Sequence, residues 1–280
     1  MINKLALDDF LLMALKEDIG AGDVTTDSLI SPEQVSRCRL VAKEPGVLAG
    51  LNVFKRVFLL LDEGVSVELR RADGDRTAAG EVIAELSGST RAILEGERTA
   101  LNILQHMSGV ATKTSRMCAL IGPFHARLVD TRKTLPGLRM LDKYAVTAGG
   151  GANHRINLSD LVLIKDNHIA AVGSIPKAVA LAKKRAPFSA KIEVEVEDLS
   201  QLAQAVEAGA DIVMLDNMSC AEMEKAVKVA GGRVLLEASG NVDERNVAAV
   251  AATGVDIISC GALTHSARAL DISLKFDLPR

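Results

Sequence analysis

Aromatic residues are scarce in this chain, which has no Trp, a single Tyr (Tyr144) and six Phe among 280 residues. Surfaces that hold single-stranded nucleic acid rely on aromatic rings to stack the bases, so that class of function is disfavoured. A formal net charge of -3 also argues against a polyanion-binding surface. Nucleic acid is therefore not an expected partner. The four cysteines (Cys38, Cys118, Cys220 and Cys260) are widely separated and form no CxxC or Cys/His spacing. Such a pattern suits neither a zinc site nor a disulfide framework, and the four read as reduced core residues. No apolar run approaches the roughly 18 residues of a membrane span. The opening MINKLALDDFLLMALKED becomes acidic within eight residues and has no apolar stretch of the kind secretion signals carry. A cytoplasmic location without a membrane partner is the expectation.

What is present is a mixture of short apolar runs and amphipathic segments. Residues 5–17 have helical periodicity and stop at Gly20 and Gly22. Residues 37–42, 65–69 and 81–86 read as short strands, with an apolar helix over 51–61, which makes the first part an α+β domain with an antiparallel sheet. A helix over 91–105 and a second one after Gly109 follow. From residue 127 onward the pattern changes to strand and helix in alternation. Strands are expected at 127–129, 161–164, 191–196, 212–215, 234–236 and 256–259, and the later helices stop at Gly209, Gly231 and Gly254. Helical crossovers imply parallel strands. About six such units imply an α/β barrel, open or incomplete, behind an N-terminal α+β sandwich domain. The expected domains are 1–108 and 109–280, with the last residues available to pack back on the first.

Active sites of α/β barrels lie where the strands end, and polar residues gather there. Asp130, Arg132 and Lys133 follow the first strand, and Lys165 and Asp166 the second. The third carries Glu193 and Glu195, and the fourth ends in Asp216 and Asn217. Glu237, Ser239 and Gly240 follow the fifth, and Gly261 the sixth. A single polar strand end is ordinary, because loops are solvated. Six in register carry more weight. Between Arg127 and Lys165 seven Lys or Arg face three Asp or Glu, a local balance of +4, suited to a small polyanion. Ser239, Gly240, Gly261 and Ala262 follow the closing strands, where backbone N–H groups commonly hold phosphate. Glu195 and Asp216 are candidates for sugar hydroxyls or Mg²⁺, with a salt bridge from one of them to Lys165 as the alternative. His106 and His125 read as structural and His168 as orienting its loop. Asp8, Asp9, Glu17 and Asp18 read as a solvated helix face.

The same residues lie in motifs that resemble the quinolinate phosphoribosyltransferase family over essentially the whole chain. DTRKTLPGLR at 130–139, GGGANHR at 149–155, LIKDNH at 163–168, EVEVE at 193–197, MLDN at 214–217, EASG at 237–240 and GALTHS at 261–266 stand in the family's order. EDIGAGDVTTD at 17–27, KEPGVLAG at 43–50 and GERTALN at 96–102 agree upstream. The resemblance implies transfer of phosphoribosyl from phosphoribosyl pyrophosphate to quinolinate with decarboxylation, a step of NAD biosynthesis, by a homodimer with shared active sites. It assigns Arg132, His154, Arg155 and Lys165, with Arg98 from the neighbouring subunit, to quinolinate. Lys133, Glu195, Asp216, Ser239, Gly240, Gly261 and His265 fall to phosphoribosyl pyrophosphate, and Mg²⁺ is implied largely through that substrate. Lys133, Lys165, Glu195 and Asp216 carry the catalytic electrostatics.

Other readings remain beside it. A similar family associated with molybdenum transport genes is one. A barrel lyase forming a Schiff base on Lys165 is another, although it leaves the Arg/His cluster and the Glu195/Asp216 pair without a role. A non-catalytic binder of phosphorylated metabolites is the third.

Overall fold

The computed structural model describes residues 2–277. The chain divides into two compact units, one of residues up to 115 with 136–150 and those from 267 onward, the other of 116–135 with 151–266.

The first unit begins with α1 (Lys4–Ile19), whose Asn3 cap accepts the N–H groups of Leu5 and Ala6. Leu7, Leu11 and Leu15 recur every fourth residue and are its buried stripe. Then come α2 (Val24–Leu29), β1 (Val35–Ala42), β2 (Gly46–Val47), α3 (Leu51–Leu61), β3 (Ser66–Leu69), β4 (Arg76–Thr77), β5 (Val82–Ser89) and α4 (Thr90–Ile121). α3 buries Val53, Phe54, Val57 and Phe58, with the two rings edge to face 5.0 Å apart.

α4 is one helix of 32 residues, where the sequence suggests two helices meeting at Gly109. Gly in a helix interior costs about 1 kcal/mol relative to Ala, so its usual reading is a boundary. Here the reason is space. A Cβ on Gly109 would lie 2.1 Å from the carbonyl oxygen of Arg268, and one on Gly96 would lie 3.0 Å from Phe58 and Leu61. The helix continues through both because neighbouring chain segments pass too closely for a side chain.

The chain then forms β6 (Arg127–Val129), α5 (Arg139–Ala148), β7 (Val162–Ile164), α6 (Asp166–Val172), α7 (Ile175–Arg185), β8 (Ile192–Val196), α8 (Leu199–Ala208), β9 (Ile212–Asp216), α9 (Cys220–Ala230), β10 (Leu235–Ser239), α10 (Val247–Ala252), β11 (Ile257–Ser259), α11 (Ala262–His265) and β12 (Ile272–Phe276). α5 and β12 belong to the first unit. β12 pairs antiparallel with β1 in a four-stranded sheet ordered β12-β1-β5-β3, and β2 pairs with β4.

In the second unit the strands are parallel and ordered β6-β11-β10-β9-β8-β7. Successive strands are neighbours except β6 and β7, so the barrel is open between its first two strands, as the α/β reading allows. Beside β6 the opening carries one parallel bridge, Val129 to Ala152. Ser174, Asp198 and Ser219 cap the helices that follow, and Gly209 and Gly231 end two of them in the left-handed conformation.

Side chains alternate across a strand, and register therefore sorts the interior by depth. Glu193 pairs with Leu163 and Ile212, whereas Glu195 and Glu237 both pair with Met214. Ser239 pairs with Asp216, nearest the strand ends. The sequence reading ends the fifth strand at residue 236. β10 instead runs to Ser239, which brings Glu237 inside the barrel at 1% exposure.

Candidate active site

A cavity of about 590 Å³ opens at the carboxyl ends of these strands. Thr131, Arg132 and Lys133 line it after β6, His154 and Arg155 from the loop beyond Ala152, and Lys165 after β7. Glu195, Asp216, Ser239 and Gly240 complete the set of expected residues within it.

Charge is arranged unevenly around this cavity. Lys165 Nζ bonds Glu195 Oε2 at 2.6 Å, so lysine and glutamate meet as an ion pair at the cavity wall. His168 Nδ1 accepts the Lys165 N–H at 3.0 Å and so fixes the turn that delivers the lysine. Arg155 is lowered below the ordinary guanidinium value by burial and by the charge of Arg132. Two such cations gathered at one wall favour a ligand with more than one negative charge.

On the opposite side the backbone is held in unusual conformations. Asn217 has φ +54°, Gly240 +99° and Asn241 +51°. A Cβ on Gly240 would come 2.2 Å from Asn217 Oδ1 in a backbone conformation that strains other residues, so glycine is favoured. Asn217 donates its N–H to the Ser239 carbonyl at 2.9 Å, and Asn241 Nδ2 donates to Asn217 Oδ1 at 3.1 Å. Left-handed non-glycine residues that neighbours hold in place are typical of functional sites. Asn241 was not singled out from the sequence, because an Asn after a Gly reads as an ordinary turn.

Gly261 and His265 are not among the cavity-lining residues. They stand beside Lys133: a Cβ on Gly261 would lie 2.9 Å from Lys133 Cδ and 3.3 Å from the His265 ring. Thr264 Oγ1 donates to the Lys133 carbonyl at 2.8 Å. Arg98 is exposed on α4 in the first unit.

At the cavity His154, which the resemblance assigns to quinolinate, meets Glu193 and Glu237, two glutamates to which sequence reading gave no role. Glu193 is fully buried and Glu237 is 1% exposed. Their Oε2 atoms lie 3.3 and 3.2 Å from His154 Nε2. Burial alone would lower the imidazole; the hydrogen bonds and charges of Glu193 and Glu237 outweigh it and push His154 up to about 10. Glu193 is itself raised, first by burial, although His154 opposes the shift. The Arg155 N–H lies 2.8 Å from His154 Nδ1, a contact that favours the neutral ring. In either protonation state Nε2 bears a proton and faces the carboxylates. The signal available in sequence was parity, since Glu193 shares a strand face with Glu195, and Glu237 with Ser239.

Two groups of residues could hold a metal ion. His154, Glu193 and Glu237 offer ligand atoms within 4.8 Å of one another. Glu195 and Asp216 offer only oxygens at the cavity wall, the donor type Mg²⁺ prefers. The remaining histidines lie elsewhere: His106 Nε2 is 2.6 Å from buried Asp142, and His125 Nε2 is 3.6 Å from Asp256.

Parallel strands that end in a cationic cavity, with a constrained glycine loop on the facing side, define an anion-handling barrel enzyme. Two family models match the chain, the quinolinate phosphoribosyl transferase N-terminal domain over 23–108 and the C-terminal domain over 110–275. The chain belongs to the quinolinate phosphoribosyltransferase family. It is 46% identical over 277 residues to the probable nicotinate-nucleotide pyrophosphorylase [carboxylating] of Bacillus subtilis (strain 168), covering 99% of this chain and 96% of that one. Quinolinate phosphoribosyltransferase [decarboxylating] 1b of Nicotiana tabacum is 39% identical over 290 residues, covering 97% and 82%. The crystal structure of NadC from Streptococcus pyogenes superimposes with a TM-score of 0.95 at 46% identity, covering 98% and 97%.

Proposed function

We propose that this chain transfers the phosphoribosyl group of phosphoribosyl pyrophosphate to quinolinate and releases pyrophosphate and CO₂, leaving nicotinic acid mononucleotide. The observation that carries the reading is the cavity wall formed by Arg132, Arg155 and Lys165, which suits a planar dicarboxylate. The names of the relatives at 46% and 39% identity support it.

The pyridine nitrogen forms a bond to ribose C1 as the C1–oxygen bond to pyrophosphate breaks, the oxygen leaving with the electron pair. Positive charge grows on the sugar and negative charge on the leaving group, so catalysis is chiefly positioning and electrostatics. Lys133 and Lys165 meet the negative charge; Glu195 and Asp216 hold the ribose hydroxyls near the positive charge. Ser239, Gly240, Gly261 and His265 serve the phosphate side. The new pyridinium then withdraws electrons from the adjacent carbon, whose bond to the carboxylate breaks. CO₂ leaves, the pair stays on carbon, and a solvent proton replaces it. Bound Mg²⁺ supplies charge screening for pyrophosphate, with Glu195 and Asp216 as the side chains able to hold it.

The active unit is a homodimer in which the partner subunit's Arg98 completes the quinolinate site. An Arg98→Ala and an Arg155→Ala variant, each inactive alone, should regain about a quarter of wild-type activity when mixed, because random pairing makes half the dimers mixed with one intact site each. No recovery after proven subunit exchange would remove the shared site. The reaction itself is tested by pyrophosphate release that requires both substrates. Comparable turnover of nicotinate, which has one carboxylate, would overturn the assignment, since it would leave cations unpaired. A Schiff base on Lys165 fits less well, because its ammonium is engaged by Glu195 and amine attack needs a free lone pair.

A further inference from the structure

We infer that Glu193 and Glu237 are positioning residues that clamp His154 from below, and through it set the backbone of Arg155 at the quinolinate wall; this rests on the reaction proposed above. His154 is held from three directions. Its backbone N–H donates to Asp130 Oδ1 at 2.9 Å, and Asp130 is fully buried. Its Nε2 faces the two carboxylates at 3.2 and 3.3 Å. Its Nδ1 lies 2.8 Å from the next residue's N–H, that of Arg155. Both ring nitrogens thus face protein groups, and the ring braces the neighbouring arginine from its place in the cavity lining.

The cost of the arrangement argues for a function. Glu193 Oε1 and Oε2 and Glu237 Oε1 are buried without a hydrogen-bond partner of good geometry. A buried polar atom without a partner is destabilising, and barrel interiors are usually filled by branched apolar side chains. Stability alone would favour Leu or Met at these two positions. Two carboxylates also flank one imidazole from β8 and β10 on either side of β9, where a single carboxylate would face it from one side only.

The test is a pair of double variants of the full chain, Glu193→Leu with Glu237→Leu, and Glu193→Gln with Glu237→Gln. Leu keeps the volume and removes both acceptors; Gln keeps a carbonyl acceptor at each position. The Leu variant should raise the quinolinate KM roughly ten-fold or more, as expected for loss of hydrogen bonds to a polar group, while the KM for phosphoribosyl pyrophosphate stays within about two-fold. The Gln variant should recover most of the loss, and thermal stability should not fall in either. An unchanged quinolinate KM, a parallel rise in both KM values, or a Gln variant no better than Leu would overturn the clamp. A second measurement needs no substrate. In histidine-labelled protein the His154 Nε2 proton should exchange slowly with water and should be lost to fast exchange in the Leu variant. Fast exchange in the wild type overturns the clamp directly, whereas slow exchange in a protein inert toward quinolinate would count against the reaction and leave the clamp standing.

Discussion

Glu193 and Glu195 stand two residues apart on β8 and face the same interior, yet they live in different surroundings. Glu195 sits at the cavity wall, paired one to one with Lys165 at 2.6 Å. Glu193 lies one layer deeper, sealed from water, and shares a single imidazole with Glu237. A carboxylate at the cavity wall has a counter-ion and can meet a ligand. At the lower level it is costly and can act only through what it holds. Neighbours as well as depth set these surroundings, since Glu237 pairs with the same Met214 as Glu195 yet meets His154.

The largest test of this division is metal removal. EDTA should abolish turnover and Mg²⁺ should restore it, with the melting temperature unchanged, because an ion brought with pyrophosphate at the upper level is not part of the fold. A melting temperature lowered by EDTA would instead make the His154, Glu193 and Glu237 cluster a metal site. Next in size, Lys165→Ala should lower kcat/KM about 10²–10³-fold, the usual effect of deleting a group that meets transition-state charge, in a pyrophosphate-release assay. A loss below ten-fold would move the catalytic electrostatics away from the upper level.

The pH dependence of stability reports on the lower level. His154 is raised from its ordinary 6.5 to about 10. A group raised in the folded state stabilises fully below its unfolded value, and that contribution fades as pH climbs to the folded value. Glu193 is also raised, and its contribution likewise falls with rising pH. The melting temperature should therefore decline between pH 6.5 and 10, and decline less steeply in the Glu193→Gln, Glu237→Gln variant. Equal slopes would show that the cluster does not titrate with folding. The smallest effect separates the two glutamates themselves. Glu193→Gln turns a two-to-one cluster into a one-to-one pair and should leave the melting temperature unchanged or raise it by about 2–4 °C, near 1 kcal/mol for a chain of this size. Glu195→Gln should leave it unchanged while lowering activity.

Much of the barrel could be read before any coordinates. Each short apolar run from residue 127 onward corresponds to a strand of the parallel sheet, because strand and amphipathic helix differ in period. β12 and α5 escaped notice. Strand β12 is five residues long and is stabilised by pairing with β1, a partner remote in sequence. The continuity of α4 escaped for a related reason, since Gly109 looks like a stop until Arg268 is found against it. Of the site, Arg132, Lys133, Lys165, Glu195, Asp216, Ser239 and Gly240 were identifiable as strand-end residues, and His154 and Arg155 only through the resemblance; all line one cavity.

By itself the sequence determined which side of each strand carries the polar residues, since alternation is a property of the backbone, and which family the motifs belong to. Only the tertiary structure decided depth. Residues at 193 and 195 have the same parity and the same chemistry, so nothing local distinguishes them. The register of β8 against β7 and β9 places one beside Lys165 in water's reach and the other against His154 and Glu237. That register is set by pairing among strands remote in sequence, and it gives one carboxylate a counter-ion and leaves the other to share a single imidazole.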